Sequence, residues 1–175
     1  WQGQVAKFEI NSNKQLQLND ATAKSPAYLV SRSTAINNAT WEFFVQLDFD
    51  PSTSNFAKVY LVSNQENLGG LLEGYFVKIG GQSGTVDDVS LYRQNGTTET
   101  LLIDGIDGTV ASNPRLMVKV TKDSLSNWEL LIDTSSNFNG FILQGNATDN
   151  QVISSSYFGV FCRYTSTRSD KFFFD

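Results

Sequence analysis

Trp41-Glu42-Phe43-Phe44-Val45-Gln46-Leu47-Asp48-Phe49 is the stretch that decides how the rest of the chain is read. Successive side chains of a strand point to opposite faces. One face here carries Trp41, Phe43, Val45, Leu47 and Phe49, an unbroken apolar row; the other carries Glu42, Phe44, Gln46 and Asp48. The first row can build a core, and the second puts a ring, two carboxylates and an amide on an open surface. Such a face suits a sheet that grips a sugar. It equally suits the solvated side of a plain sandwich.

Outward from this stretch the same two-residue period recurs, and no run of helical length holds a 3.6-residue apolar repeat. It predicts strands near Val5–Ile10, Gln15–Asn19, Tyr28–Ser33, Trp41–Phe49, Ala57–Ser63, Tyr75–Ile79, Val89–Gln94, Thr100–Ile103, Leu116–Thr121, Trp128–Asp133, Tyr157–Thr165 and Lys171–Phe174. Turn clusters separate them, including Asn11-Ser12-Asn13, Asp50-Pro51-Ser52, Gly80-Gly81 and Asp107-Gly108. Asn95-Gly96 is the sharpest, a pair suited to a type I′ hairpin joining Val89–Gln94 to Thr100–Ile103. A dozen short strands so punctuated imply an all-β, antiparallel two-sheet sandwich. The apolar terminal strands are expected to lie side by side.

Composition narrows the function. The chain has 175 residues, 40% hydrophobic, enough for one domain with a substantial core. Its net charge of −5, without a Lys/Arg stripe, argues against nucleic acid as a partner. Anionic polysaccharide is disfavoured on average, although a local basic patch overrides an average. Histidine is absent, which removes a Ser-His-Asp triad and imidazole metal ligands. The single cysteine, Cys162, excludes an internal disulfide and reads as a small core hydrophobe. No segment approaches the roughly 18 apolar residues of a membrane span, and no signal-peptide pattern is present. The chain opens at Trp1 and closes on Phe172-Phe173-Phe174-Asp175 within a strand-like run. The expectation is one domain, 1–175, cut from a longer multidomain protein.

Several stretches carry a family resemblance: Asn55-Phe56-Ala57-Lys58-Val59-Tyr60-Leu61-Val62-Ser63, Gly74-Tyr75-Phe76-Val77-Lys78-Ile79-Gly80, Val89-Ser90-Leu91-Tyr92-Arg93-Gln94, Asn127-Trp128-Glu129-Leu130 and the closing Tyr157–Asp175. Together they resemble a domain of large surface or secreted proteins of Bacteroidetes, often found ahead of lamin-tail modules. That family looks like the concanavalin A-like lectin/glucanase superfold, a jelly-roll. The resemblance implies an extracellular or cell-surface location, a glycan or polysaccharide partner, flanking domains of the same chain, and lectin-like binding or adhesion without catalysis.

Alternation then selects the candidate ligand residues. Lys58 and Tyr60 share one side of their strand, Phe76 and Lys78 one side of theirs, and Ser90 and Tyr92 one side of theirs; Phe161 and Arg163 oppose Val160 and Cys162. If these strands are neighbours, Glu42, Gln46, Lys58, Tyr60, Lys78, Tyr92 and Arg163 form one mixed patch on a concave sheet. Rings there meet sugar C–H groups, and Lys, Arg, Glu and Gln bond hydroxyls. The alternatives are a structural or protein-adhesion module with no glycan ligand, or a divergent glycoside hydrolase. A retaining glycosidase needs two carboxyl groups about 5–5.5 Å apart. The nearest match to the superfold's Glu-x-Asp-x-Glu pattern is Asp48-Phe49-Asp50 with Glu42 behind it, and no glutamate stands at the matching distance. Asp50, before Pro51, reads as the cap of its own turn.

Asp104, Asp107, Asp87, Asp88, Asp20, Asp170 and Asp175 offer oxygens to a structural calcium, which sandwiches of this class often hold. No particular ligand set stands out, and no other cofactor is expected. Sequons at Asn38, Asn95 and Asn146 mark surface loops. Trp41 and Trp128 belong to apolar alternations and are expected in the core.

Overall fold

The computed structural model describes all of residues 1–175. Strands are numbered in chain order and form two antiparallel sheets of seven. Across the front sheet run β1 (Gln2–Gly3), β4 (Ala27–Arg32), β13 (Tyr157–Arg163), β6 (Phe56–Ser63), β7 (Leu72–Ile79), β8 (Val89–Gly96) and β9 (Thr98–Ile103). Across the back sheet run β12 (Ile142–Thr148), β11 (Asn127–Asp133), β10 (Arg115–Lys122), β5 (Ala39–Leu47), β14 (Phe172–Phe174), β3 (Leu16–Leu18) and β2 (Phe8–Ile10). Helix is limited to two single 3₁₀ turns, Val5–Lys7 and Ser166–Arg168.

The core lies between the sheets and is built by the expected parity. Trp41, Phe43, Val45, Leu47 and Phe49 are all buried, facing Val59, Leu61, Val77, Ile79 and Leu91 of the front sheet within one cluster. Each fully buried side chain of this size contributes about 1.5–3 kcal/mol. Trp128 stacks on Trp41 (5.8 Å, 11° between planes) and meets Tyr75 of the opposite sheet at 4.5 Å. Its indole Nε1–H donates to the Asp149 carbonyl at 3.0 Å, satisfying its one polar group. Cys162 is buried among the same residues, as expected of a small hydrophobe.

Several sequence expectations are corrected. Val5–Ile10 is a 3₁₀ turn followed by a three-residue strand. The strand β12 is absent from the sequence reading: it lies at a sheet edge, and Gly145 and Asn146 interrupt its alternation where its register against β11 slips. The terminal strands are not side by side, since β1 joins the front sheet and β14 sits between β3 and β5 in the back. The β8–β9 hairpin forms, with Asn95 opposite Thr98, but only Gly96 in its turn takes positive φ (63°). A type I′ turn needs positive φ at both central residues, so the turn is not of that type. Asp50 does not cap its own turn; its Oδ1 accepts from Ser112 Oγ at 3.0 Å and the Asn113 backbone N–H at 3.2 Å. All three sequon asparagines are exposed, yet Asn95 and Asn146 lie in strands.

Candidate functional site

A second, smaller apolar cluster sits on the outer face of the front sheet, away from the core. Val30, Phe56, Tyr60, Leu68, Leu72, Phe76 and Phe161 form it, with Tyr92 packed alongside. It exists because residues 64–71, between β6 and β7, fold back over the sheet and lay Leu68 on Tyr60. Asn67 shapes that fold-back, its Oδ1 accepting from the Gly69 N–H and its carbonyl from the Gly70 N–H. Beside the loop is a groove of about 320 Å³ lined by Phe56, Lys58, Tyr60, Gln94, Glu99 and Arg163, among others.

Register explains the arrangement. Tyr60 pairs with Phe76, and Phe76 with Tyr92, so three rings stand in a row across β6, β7 and β8. Tyr60 and Phe76 lie 5.0 Å apart; Phe76 and Tyr92 stack at 5.2 Å with 4° between planes. One step along, Lys58 pairs with Phe161 on one side and Lys78 on the other. Lys58 Nζ sits 4.3 Å from the Phe76 ring centre and forms an ion pair with Glu99 of β9. Lys78 Nζ lies 4.8 Å from the Phe56 ring, and the Arg163 guanidinium 5.9 Å from the same ring. Burial pulls the Lys58 pKa below the usual lysine value, Lys78 and Arg163 add repulsion, and Glu99 opposes the fall. With Lys58 and Arg163 in its lining and Lys78 nearby, against Glu99 as the single lining carboxylate, the groove is locally basic in an acidic chain.

The sequence-derived residues divide. Lys58, Tyr60, Lys78, Tyr92 and Arg163 share this face, but Tyr60 is only 1% exposed. It supports the groove from beneath, its hydroxyl donating to Gln94 Oε1 at 2.7 Å, and burial pushes its pKa up. Glu42 and Gln46 do not join them. They lie on β5, whose partners are β10 and β14, so they stand on the outer face of the back sheet. There Glu42 pairs with Lys119 at 3.7 Å and Gln46 Nε2 donates to Asp48 Oδ1 at 2.7 Å. Two groove residues, Gln94 and Glu99, escaped the sequence reading. Parity on β8 puts Gln94 on the face of Tyr92, a signal that could have found it; Glu99 needed the hairpin register.

Two seven-stranded antiparallel sheets, with a groove and a folded-back loop on one outer face, permit comparison with solved structures. The fold is that of the legume lectins. The exoplasmic/lumenal domain of VIP36, in a form bound to Ca²⁺ and mannose, superimposes with a TM-score of 0.64 at 11% identity, over 97% of this chain and 80% of that one. The legume lectin-like domain from Entamoeba histolytica gives 0.61 at 9% identity, over 99% and 84%. The β-glucanase of Bacillus licheniformis gives 0.54 at 10%, over 97% and 78%, so lectins and a hydrolase share the architecture. No family model and no curated protein sequence matches the chain.

Proposed function

We propose that this chain is a non-catalytic carbohydrate-binding, lectin-like module that holds a glycan in the groove between the 64–71 loop and the β8–β9 hairpin. The observation that carries this reading is the groove itself. Rings line its floor, while a guanidinium, an ammonium, a carboxylate and an amide converge at its walls. Flat apolar surface beside convergent polar groups is what sugar recognition requires. The excess of cations favours an acidic sugar, whose carboxylate or sulfate would meet Arg163 and Lys58. A single carboxylate in the lining cannot serve as the acid and nucleophile pair of a retaining glycosidase. The same reading places the module on a bacterial surface or secreted multidomain protein, beside flanking domains. A structural calcium belongs to the same reading, supported by the Ca²⁺-bound form among the lectin neighbours.

Titration against neutral and acidic polysaccharides tests the proposal, with Arg163→Ala as control because that side chain is exposed. Binding in the micromolar to millimolar range, weakened by the substitution, is the expected result. Silence across the panel from a folded chain refutes it. One observation favours a second reading, protein adhesion. Trp1 and Ile10 are 62% and 65% exposed beside an apolar depression of about 330 Å³ reaching Phe43 and Val160. That reading expects self-association or binding to a flanking domain, with no sugar response.

A further inference from the structure

Arg163 belongs to two hollows on the front sheet. Besides the groove, of about 320 Å³, it lines a second depression of about 370 Å³ with Ser25, Pro26, Ser54, Tyr164 and Thr165. Phe161 lines both as well, so the two share a wall. Each is near the lower size limit of small-ligand sites, about 300 Å³. Register explains the shared wall. On β13, Arg163 stands opposite Phe56 of β6, and Cys162, one residue earlier, stands opposite Ala27 of β4. Arg163 is thus set between Phe56, which lines the groove, and the exposed Pro26, which lines the second hollow.

The two hollows differ in chemistry. In the groove, Lys58 stands directly opposite Lys78 of β7, a like-charge pairing that weakens a sheet. Lys58 has Glu99 as its one counter-ion, and neither Lys78 nor Arg163 takes part in any ion pair. Cations left without partners suit a bound anion. The second hollow has no charged side chain except the shared Arg163, and its other side-chain polar groups are hydroxyls. Ser25 Oγ accepts from the Tyr164 N–H at 3.0 Å and keeps its own proton to donate. Thr165 Oγ1 donates to Asn55 Oδ1 at 3.0 Å and keeps lone pairs to accept. Ser54 is exposed beside them. Neutral donors and acceptors next to an apolar ring match the hydroxyls and C–H face of an uncharged sugar.

We propose that the groove and the second hollow are adjoining subsites for a linear acidic polysaccharide. An acidic unit lies against Lys58 and Arg163, and the neighbouring neutral unit lies against Pro26, Ser25 and Ser54. The inference rests on the carbohydrate reading and adds to it the smallest complete ligand, two linked units of unlike charge. Arg163 is the specificity-determining residue, because it is the one charged group that lines both hollows. Its planar fork of donors can hold the acidic group and the linkage beside it at once. Once the first unit is seated, the second binds as an intramolecular event. Affinity therefore rises with chain length although each hollow alone is shallow.

The test is an NMR titration of the ¹⁵N-labelled full chain with three kinds of probe, each in gluco and galacto forms: a free uronic acid, a disaccharide of that acid with a neutral hexose, and a diuronate. The free acid should shift the Gln94 and Glu99 amides. The mixed disaccharide should bind at least about tenfold tighter and shift the Ser54 and Thr165 amides as well. Ser54→Leu, at an exposed position, should cut that gain to about threefold or less, because it fills the second hollow and removes a hydroxyl. If the variant fails to fold, the comparison of probes on the wild-type chain carries the test. Equal affinity for the free acid and the mixed disaccharide overturns the proposal and leaves the carbohydrate reading standing. So does a disaccharide that binds without moving Ser54 and Thr165, or a diuronate that binds as tightly as the mixed disaccharide. No response to any probe removes the carbohydrate reading, and this inference falls with it.

Discussion

Replacing Tyr60 with Phe removes one oxygen from the floor of the groove and nothing else. That hydroxyl donates to Gln94 Oε1 at 2.7 Å, and both residues are buried. The ring remains in place against Phe76, so the apolar contribution is kept. What changes is that Gln94 Oε1 loses its donor in a site closed by Leu68. A buried acceptor left unmet costs about 1–3 kcal/mol, and about 2 kcal/mol is expected here. For a chain of this length that lowers the melting temperature by roughly 4–8 °C. Urea denaturation of Tyr60→Phe, Gln94→Leu and the double variant measures it. The double variant should lose less than the sum of the singles by about 1 kcal/mol, because no acceptor is then stranded. A Tyr60→Phe protein within about 0.3 kcal/mol of the parent, or strictly additive losses, would refute the reasoning. Because Tyr60 is covered, its loss should change stability more than sugar specificity.

Lys58→Met should change stability by no more than about 1 kcal/mol, since relief of the desolvated ammonium offsets the lost ring contact and a partly exposed ion pair; acidic-glycan titration should fall at least tenfold, and retained binding would remove Lys58 from the site. Trp128→Ala should cost about 3–5 kcal/mol by denaturant unfolding, from the cavity it leaves opposite Trp41 and Tyr75. Asp20 contributes to acid stability. Burial raises its pKa, but bonds from Tyr164, Thr22 and the Lys24 N–H prevail and hold it well below the ordinary carboxylate range. The unfolded chain therefore takes up this proton first, near pH 4. The stabilisation is whole above that pH and is lost as the pH falls toward the folded value. Asp20→Asn should flatten that part of the stability profile measured by urea midpoints between pH 6 and about pH 3.

The chain by itself determined which way the side chains of its clearly alternating strands point. The alternation in Trp41–Phe49 fixed five core residues, and the same count put Lys58, Tyr60, Lys78, Tyr92 and Arg163 on an outer face. Parity is local, set by the pleat of the backbone alone. Which strands become neighbours is not local. The pairing of β5 with β10 and β14 moved Glu42 and Gln46 to the far sheet, although their alternation resembles that of Lys58 and Tyr60. Nor could spacing show that Leu68 would close over Tyr60, or that Glu99 would reach Lys58 across β7 and β8. In sequence Asp87 and Asp88 read only as two of several carboxylates that offer oxygens, with nothing to mark them as buried. Tertiary packing, in which the Val110 N–H bonds the Asp87 carbonyl, shuts them away from water, because burial is a property of the assembled sheets and not of any one strand.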